Sequence, residues 1–228
     1  IDVRLKTKIE GIDYSGERTE ITTADQALFD ADYVLLTVPL GVLKQNVISF
    51  SPPLPQRIQD PINKLEMGQV NKFLCVWDTA FWDTDLQYIG YTPVQRGKFN
   101  YFMNVKKFSD VNALMTFAFG DYSESTEGMS DAEVIEEIMG HLKAIYGPDI
   151  PNPTGFRRTK WSTNPFTFGS YSFAAQGARS SDFEQFEEAV DDKLFFAGEH
   201  TNRDYRGTVH GAYASGLREA EKIADLLC

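Results

Sequence analysis

The chain has 228 residues, 42% hydrophobic and 24% charged, enough to bury a sizeable core as one large domain or two small ones. Its 22 basic and 33 acidic residues leave a net charge of −11, which argues against a nucleic-acid or anionic-membrane surface, since either needs a basic patch. No run approaches the ~18 apolar residues of a membrane span. The two cysteines, Cys75 and Cys228, build no disulfide framework and favour a reducing compartment. An acidic surface would attract a cationic substrate, although solubility alone accounts for the same charge.

The sequence opens without Met, on IDVRLKTKIEGIDY, where Val3, Leu5 and Thr7 alternate with Arg4, Lys6 and Lys8. That period-two pattern predicts a half-buried strand. A chain that opens inside a sheet pattern is expected to be the C-terminal part of a larger protein. Ser15-Gly16 marks a turn, and the apolar run 33–38 predicts a strand buried on both faces, ended by Pro39. SPPLP (51–55) is the sharpest shift in composition and reads as a domain crossing. Strands are predicted at 70–78 and 113–119, with Cys75 in the first expected to be buried and inert. An aromatic-rich stretch containing Trp82, Tyr88, Phe99 and Tyr101 separates them. Residues 130–146 are the clearest helix. Ser130 and Glu133 make a capping box, Val134, Ile138, Met139 and Leu142 share one face, and Gly147-Pro148 stops it. This helix reads as core packing without chemistry.

KLFFAGEHTNRDYRGTVHGAYASGLREAEKIADLL closes the chain, from 193 to 227. An apolar run meets Gly198, a charged loop follows, and a helix opens at Thr208. Ala212, Ser215, Gly216 and Ala220 recur at three- and four-residue spacing, so the front of the helix can approach another backbone closely. The first-turn amides near Val209, His210 and Gly211 lack intrahelical acceptors and present about half a positive charge. Strand, loop and helix in this order is the layout that holds an anionic cofactor. A capped surface helix with Gly198 and Gly207 as turn residues satisfies the same spacing. Glu199, His200, Asp204 and His210 lack clean metal-ligand spacing, and no metal is expected.

The stretch LFFAGEHTNRDYRGTVHGAYASGLREAEKIA resembles the C-terminal flavin motif of the flavin-containing amine oxidase family, which includes polyamine oxidases, monoamine oxidases and lysine-specific histone demethylases. Three further segments resemble that family in the same order. ADYVLLTVPLGVLK is similar to its second FAD-contacting strand. LEMGQVNKFLCVWDTAFW is similar to its strand carrying a lysine beside the flavin, and KWSTNPFTFGSYSF to its tryptophan and GSYS segment. The resemblance implies a mixed α/β fold. Residues 1–46 and 190–228 would belong to an incomplete Rossmann-like FAD-binding domain, and 47–189 to a substrate domain with a mixed β-sheet and flanking helices.

The resemblance also implies roles. Ile9 matches a strand position whose main chain meets the adenine. Thr37, Val38 and Pro39 match a turn near the dinucleotide, and Gly198 and Glu199 lie along the pyrophosphate and ribityl chain. Thr208 and Val209 match the pyrimidine edge of the isoalloxazine, where helix amides favour the negative charge of the reduced ring. Lys72 matches the lysine that holds a water near flavin N5, although a lysine on an apolar strand commonly reaches out to solvent. Trp161 matches an aromatic packed against the flavin, and Tyr171 one lining the amine's approach. Both suit cation–π attraction, and both are also explained by core packing. Thr208 takes the substrate-facing slot, with Tyr213 inside the helix, so a complete pair of opposed aromatics is not expected. That favours the demethylase-like and polyamine-oxidase-like branches over the monoamine oxidases. No cysteine occurs in GEHTNRDYRGTVHGA or near Trp161, so FAD is expected to be non-covalent.

The implied reaction is hydride transfer from the α-carbon of an amine to flavin N5, hydrolysis of the imine, and reoxidation by dioxygen with release of hydrogen peroxide. The family's G-x-G-x-x-G loop, and the acidic residue about 20 positions beyond it, do not occur in these residues. The chain is therefore expected to need the N-terminal part of the same protein and to be inactive alone. Other readings stay open: an L-amino-acid oxidase, which needs an arginine for the carboxylate, a desaturase- or protoporphyrinogen-oxidase-like flavoprotein, or a catalytically silent scaffold.

Overall fold

Strand and helix patterns interleave along the chain, and the computed structural model, which describes residues 2–227, gathers them into two units of a mixed α/β fold. The first unit takes the chain up to Gly68 and again from Pro165 onward. The second is the continuous segment from Gln69 to Asn164.

The first unit begins with β1 (Ile9–Asp13), β2 (Thr19–Thr23) and β3 (Leu28–Ala31), an antiparallel ribbon. β4 (Val34–Leu36) runs through Thr37-Val38-Pro39 into the short helix α1 (Leu40–Lys44). Pro39 precedes its first turn, where a missing N–H costs nothing. β5 (Ser49–Ser51) pairs in parallel with β1, giving the order β3-β2-β1-β5. α2 (Gln56–Lys64) and β6 (Leu65–Gly68) complete this first pass.

The second unit holds β7 (Val70–Val76), β8 (Tyr88–Gly90), β9 (Lys98–Asn104) and β10 (Ala113–Phe119), then helices α3 (Gly120–Gly128) and α4 (Asp131–Tyr146), then β11 (Gly155–Arg158). The strands make one antiparallel sheet in the order β11-β7-β10-β9-β8. Strand alternation turns Phe73, Cys75, Leu114 and Ala118 to one face, where Val134, Ile138, Met139 and Leu142 of α4 pack on them. Fully burying each Phe, Leu, Ile, Val or Met of this set contributes roughly 1.5–3 kcal/mol. Lys72, opposite Phe117 in the register, points to the other face. The expected capping box is present: Glu133 N–H donates to Ser130 Oγ at 3.2 Å, and Ser130 N–H donates to the Glu133 carboxylate at 2.7 Å. Gly147 stops α4 with φ 95°, a backbone that favours glycine.

Back in the first unit, β12 (Tyr171–Ala174) pairs antiparallel with β6, β13 (Leu194–Phe196) pairs in parallel with β4, and α5 (Val209–Leu226) ends the chain's regular structure. The core of this unit joins Leu36, Leu40, Ile58, Leu65, Phe183 and Phe196. Among the described residues no helix is long and apolar enough to cross a membrane.

Three expectations need correction. No strand forms at 3–8: Val3 and Leu5 are 70% and 82% exposed, and Lys6 adopts φ 58°, which breaks extension before β1 starts at Ile9. The strand expected at 33–38 shortens to β4, and its middle residue Leu35 is exposed, so burial is one-sided. SPPLP is not a crossing, because Leu54 is buried in the first unit's core and Pro55 sits at the N-cap of α2. The compact units change over at Gly68/Gln69 and Asn164/Pro165. Ile58 and Ile62 of α2, with Phe183 and Phe186 of the 3-10 segment Ser180–Glu187, bury against the same core as β4 and β13. Cys75 is buried, as expected, and Cys228 lies outside the described residues.

Candidate functional site

β4 and β13 are parallel neighbours, with Leu36 opposite Phe196 and Ala197 N–H donating to the Leu36 carbonyl at 2.9 Å. Their carboxyl ends therefore release Thr37-Val38-Pro39 and Ala197-Gly198-Glu199 side by side. The crevice beyond the carboxyl ends of parallel strands is where open α/β sheets take ligands. Thr37, Val38 and Pro39 also line a cavity of about 330 Å³ together with Thr7, Ile9 and Val42. Four residues expected at the cofactor, Ile9, Thr37, Val38 and Pro39, are thus brought to one concavity.

Gly198 adopts φ 149°, and a Cβ there would lie 2.8 Å from the His200 imidazole. Its N–H donates to Ser215 Oγ at 2.8 Å, tying the end of β13 to α5. The carboxylate of Glu199 accepts from Ser172 N–H at 2.8 Å, Ser172 Oγ at 2.7 Å and Gly207 N–H at 2.7 Å. Charge-assisted bonds of this kind are about twice as strong as neutral ones. Both oxygens of Glu199 are thus engaged, and its carboxylate links β12 to the loop before α5. Asn202 Oδ1 accepts from the N–H groups of Asp204 and Tyr205 and shapes that loop.

Thr208 caps α5. Its hydroxyl donates to the Tyr205 carbonyl at 2.5 Å and accepts from Gly211 N–H at 3.0 Å. Gly211 is buried, and a Cβ on it would meet Tyr205 O at 2.1 Å, so the opening turn rests directly on its own loop. The N–H groups of Val209 and His210 open the helix with no carbonyl four residues back, and Val209 is exposed. Tyr171 is 42% exposed, and its ring lies 3.8 Å from where a Cβ on Gly207 would be. The first unit therefore clusters Tyr171, Glu199 and Thr208 through Ser172 and Gly207. His200 is buried edge-on against Phe186, and burial, with the nearby Arg218 charge, pushes its pKa down to about 4. It is neutral near pH 7. Among the described residues no group of three or more His, Cys, Asp or Glu side chains is placed to hold a metal.

In the second unit, Lys72 is exposed, and its main chain is bracketed by Thr159: Lys72 N–H donates to Thr159 Oγ at 2.9 Å, and Thr159 N–H donates to the Lys72 carbonyl at 3.0 Å. Trp161 follows two residues later, half-buried, its N–H donating to Asn71 Oδ1 at 3.2 Å. Lys72 and Trp161 are thus held through one short segment. Asn71 and Glu127, both buried, complete it, with Asn71 Nδ2 donating to Glu127 Oε1 at 2.8 Å. Glu127 also accepts from Ser162 N–H at 2.9 Å, Thr163 N–H at 2.8 Å and Thr163 Oγ at 2.7 Å. Burial works to raise its pKa, but bonds from Thr163, Asn71 and Ser162 outweigh it and hold the pKa down to about 2. Sequence reasoning missed Glu127, Asn71 and Thr159. The one available signal was Asn71, next to Lys72 in MGQVNK.

Residues 2–224 match a family model described as flavin containing amine oxidoreductase. Lysine-specific histone demethylase 1B of Mus musculus is 37% identical over 231 residues, covering 98% of this chain and 28% of that protein. Lysine-specific histone demethylase 2 of Homo sapiens is 35% identical with the same coverage. A lysine-specific histone demethylase 1 homolog 2 of Arabidopsis thaliana is 36% identical, covering 94% of this chain and 30% of that protein. The chain spans less than a third of the length of these curated relatives. Among solved structures, putrescine oxidase bound to putrescine has a TM-score of 0.82 at 22% identity, covering 98% of this chain and 49% of that one. Identity that low speaks to the fold alone.

Proposed function

Because the chain belongs to the flavin-containing amine oxidoreductase family, with FAD as its cofactor, we propose that the full-length protein oxidises the carbon–nitrogen bond of an amine, and that this amine is a methylated lysine side chain. The observation that carries the reading is the parallel pair β4–β13, whose carboxyl ends deliver two flavin-motif segments side by side and lead on to the Thr208-capped helix. The lysine-specific demethylases, at 35–37% identity, favour a methylated lysine over a free polyamine.

Ile9, Thr37, Val38 and Pro39 hold the nucleotide side of FAD, and Gly198 and Glu199 hold its linker through main chain. Thr208 and Val209 direct amide hydrogens at an electron-rich ring edge, where a helix N-terminus favours negative charge. FAD held there would supply the two-electron oxidation of the amine's α-carbon–nitrogen bond, water would hydrolyse the resulting imine, and dioxygen would take up the two electrons as hydrogen peroxide. Lys72 holds and orients a water with its ammonium group. Trp161 offers an aromatic surface to the flavin, and the half-exposed Tyr171 presents a ring face that attracts an amine cation. Attachment is non-covalent: the chain from 193 to 227 has no cysteine, and Cys75 is buried in the core of the second unit.

The test uses full-length protein loaded with FAD. Without oxygen, a dimethyl-lysine peptide should bleach the flavin absorbance and release one formaldehyde per flavin, and turnover in oxygen should release formaldehyde and peroxide in equal amounts. A second reading, a polyamine oxidase, draws on the putrescine oxidase likeness and the net charge of −11. Bleaching by spermine but not by the peptide would select it. Bleaching by amino acids alone would point to an amino-acid oxidase, and no bleaching by any of these would leave the scaffold reading.

A further inference from the structure

Glu127 has no part in the reading above, yet it stands at the centre of the segment that carries Trp161. We propose that Glu127 is a positioning residue: its carboxylate fixes residues 159–163 and, through Asn71, the main chain at Lys72, so that Lys72 and Trp161 keep one relation to each other. The catalytic meaning of this rests on the proposed function; the geometry does not.

Glu127 belongs to the last turn of α3, where the helix dipole disfavours a negative charge. Helix stability therefore does not account for a glutamate there. The carbonyls around that helix end are taken by cations instead: Arg158 donates to Thr126 O at 2.6 Å and Met129 O at 2.7 Å, and Lys160 Nζ donates to Glu127 O at 2.8 Å. The side chain of Glu127 turns to the segment instead. Oε1 accepts from Asn71 Nδ2 and Ser162 N–H, and Oε2 from the amide and hydroxyl of Thr163. Four donors occupy the roughly four acceptor directions of a carboxylate. Two of them are the backbone N–H groups that directly follow Trp161.

Asn71 extends the link. Its second amide hydrogen goes to Ser123 O at 3.3 Å, so its carbonyl is turned to receive Thr159 Oγ at 3.0 Å and Trp161 N–H. Thr159 in turn brackets the Lys72 main chain on both sides. A glutamine at 127 would aim N–H groups at N–H groups, at either oxygen position, and the segment would lose half its anchor.

The experiment compares full-length, FAD-loaded wild type with Glu127→Gln and Thr163→Val, reading amide hydrogen exchange and the rate of flavin bleaching by the amine. Glu127→Gln should speed exchange at Ser162 and Thr163 by about tenfold or more, with the α4 amides unchanged. It should slow bleaching by about 10- to 100-fold while KM stays within about threefold, the pattern of lost orientation rather than lost binding. Thr163→Val, which removes one hydroxyl bond and keeps the carboxylate, should move both readouts in the same direction by about two- to fivefold. Unchanged exchange at 162–163 in Glu127→Gln overturns the proposal, and so does faster exchange with unchanged bleaching. Should Glu127→Gln fail to fold, Thr163→Val decides, and wild-type values in both readouts overturn it. Should wild type bleach with no amine, the proposed function fails, and the exchange data alone judge whether Glu127 anchors the segment.

Discussion

Alanine at Gly211 and alanine at Gly216 should have opposite effects on stability, although both glycines lie in α5. No heavy atom lies within 4 Å of where a Cβ on Gly216 would stand, so Gly216→Ala should gain the ordinary helix preference of alanine, up to about 1 kcal/mol. Gly211→Ala has the same gain, but its methyl would sit 2.1 Å from the Tyr205 carbonyl oxygen, against a usual carbon–oxygen contact of about 3.3 Å. Helix or loop must move by about 1 Å. The Tyr205 carbonyl already accepts from Thr208, whose hydroxyl caps Gly211 N–H, so any movement also loosens the cap. Overpacking costs about 1–3 kcal/mol and a lost cap about 1 kcal/mol. After the helix gain, Gly211→Ala should be less stable than wild type by about 1–3 kcal/mol, and less stable than Gly216→Ala by about 2–4 kcal/mol. Denaturant unfolding of the full-length protein measures both, and flavin fluorescence on dilution should show Gly211→Ala releasing FAD faster. A Gly211→Ala protein as stable as Gly216→Ala would refute the close approach between α5 and its loop.

Two further outcomes follow from buried groups. Acid should remove stability in two steps. His200 has a folded pKa of about 4, below its ordinary 6.5, so the unfolded chain takes the proton first and stability falls as pH drops from 6.5 to about 4. Glu127 has a folded pKa of about 2, below its ordinary 4.5, so its contribution is present above 4.5 and lost as pH falls toward 2. Each step is at most about 3 kcal/mol. Unfolding free energies across this range, with His200→Gln flattening the upper step, check the assignment; a flat profile between 6.5 and 4 contradicts it. Burial pushes the Cys75 thiol up to about 12, so a thiol reagent at pH 8, with labelling read on the peptide that carries Cys75, should modify it only at the rate of unfolding. Rapid stoichiometric labelling of the native protein would show that β7 is open.

Legibility in the sequence followed the range of the interactions. The Ser130 cap and the apolar face of α4 are written within a few residues, and β10 announces itself by composition, so both were predicted to the residue or nearly so. The alternation at 3–8 failed because period two licenses a strand only when another strand pairs with it, and at that point the backbone turns at Lys6. The proline cluster misled in another way: prolines mark ends of elements, and here they separate β5 from α2 inside one core. At the site, the residues that stood out were those in the motif segments, such as Lys72 and Thr208. The supports did not stand out. Glu127 bonds to partners 35 and 36 residues ahead and 56 behind, and Glu199 reaches back 27 residues to Ser172. No local pattern encodes such pairings.

The second unit is a continuous stretch inserted into a first unit that is broken in sequence. During synthesis, residues 69–164 can therefore collapse on themselves as soon as they leave the ribosome, while β4 must wait for β13, more than 150 residues later, to gain its parallel neighbour. Until then Leu36 lacks the β13 partner beside it, and an unpaired apolar strand edge is the sort of surface that chaperones bind. Variants that slow translation or truncate the chain before residue 194 should aggregate through the first unit while leaving a protease-resistant middle piece.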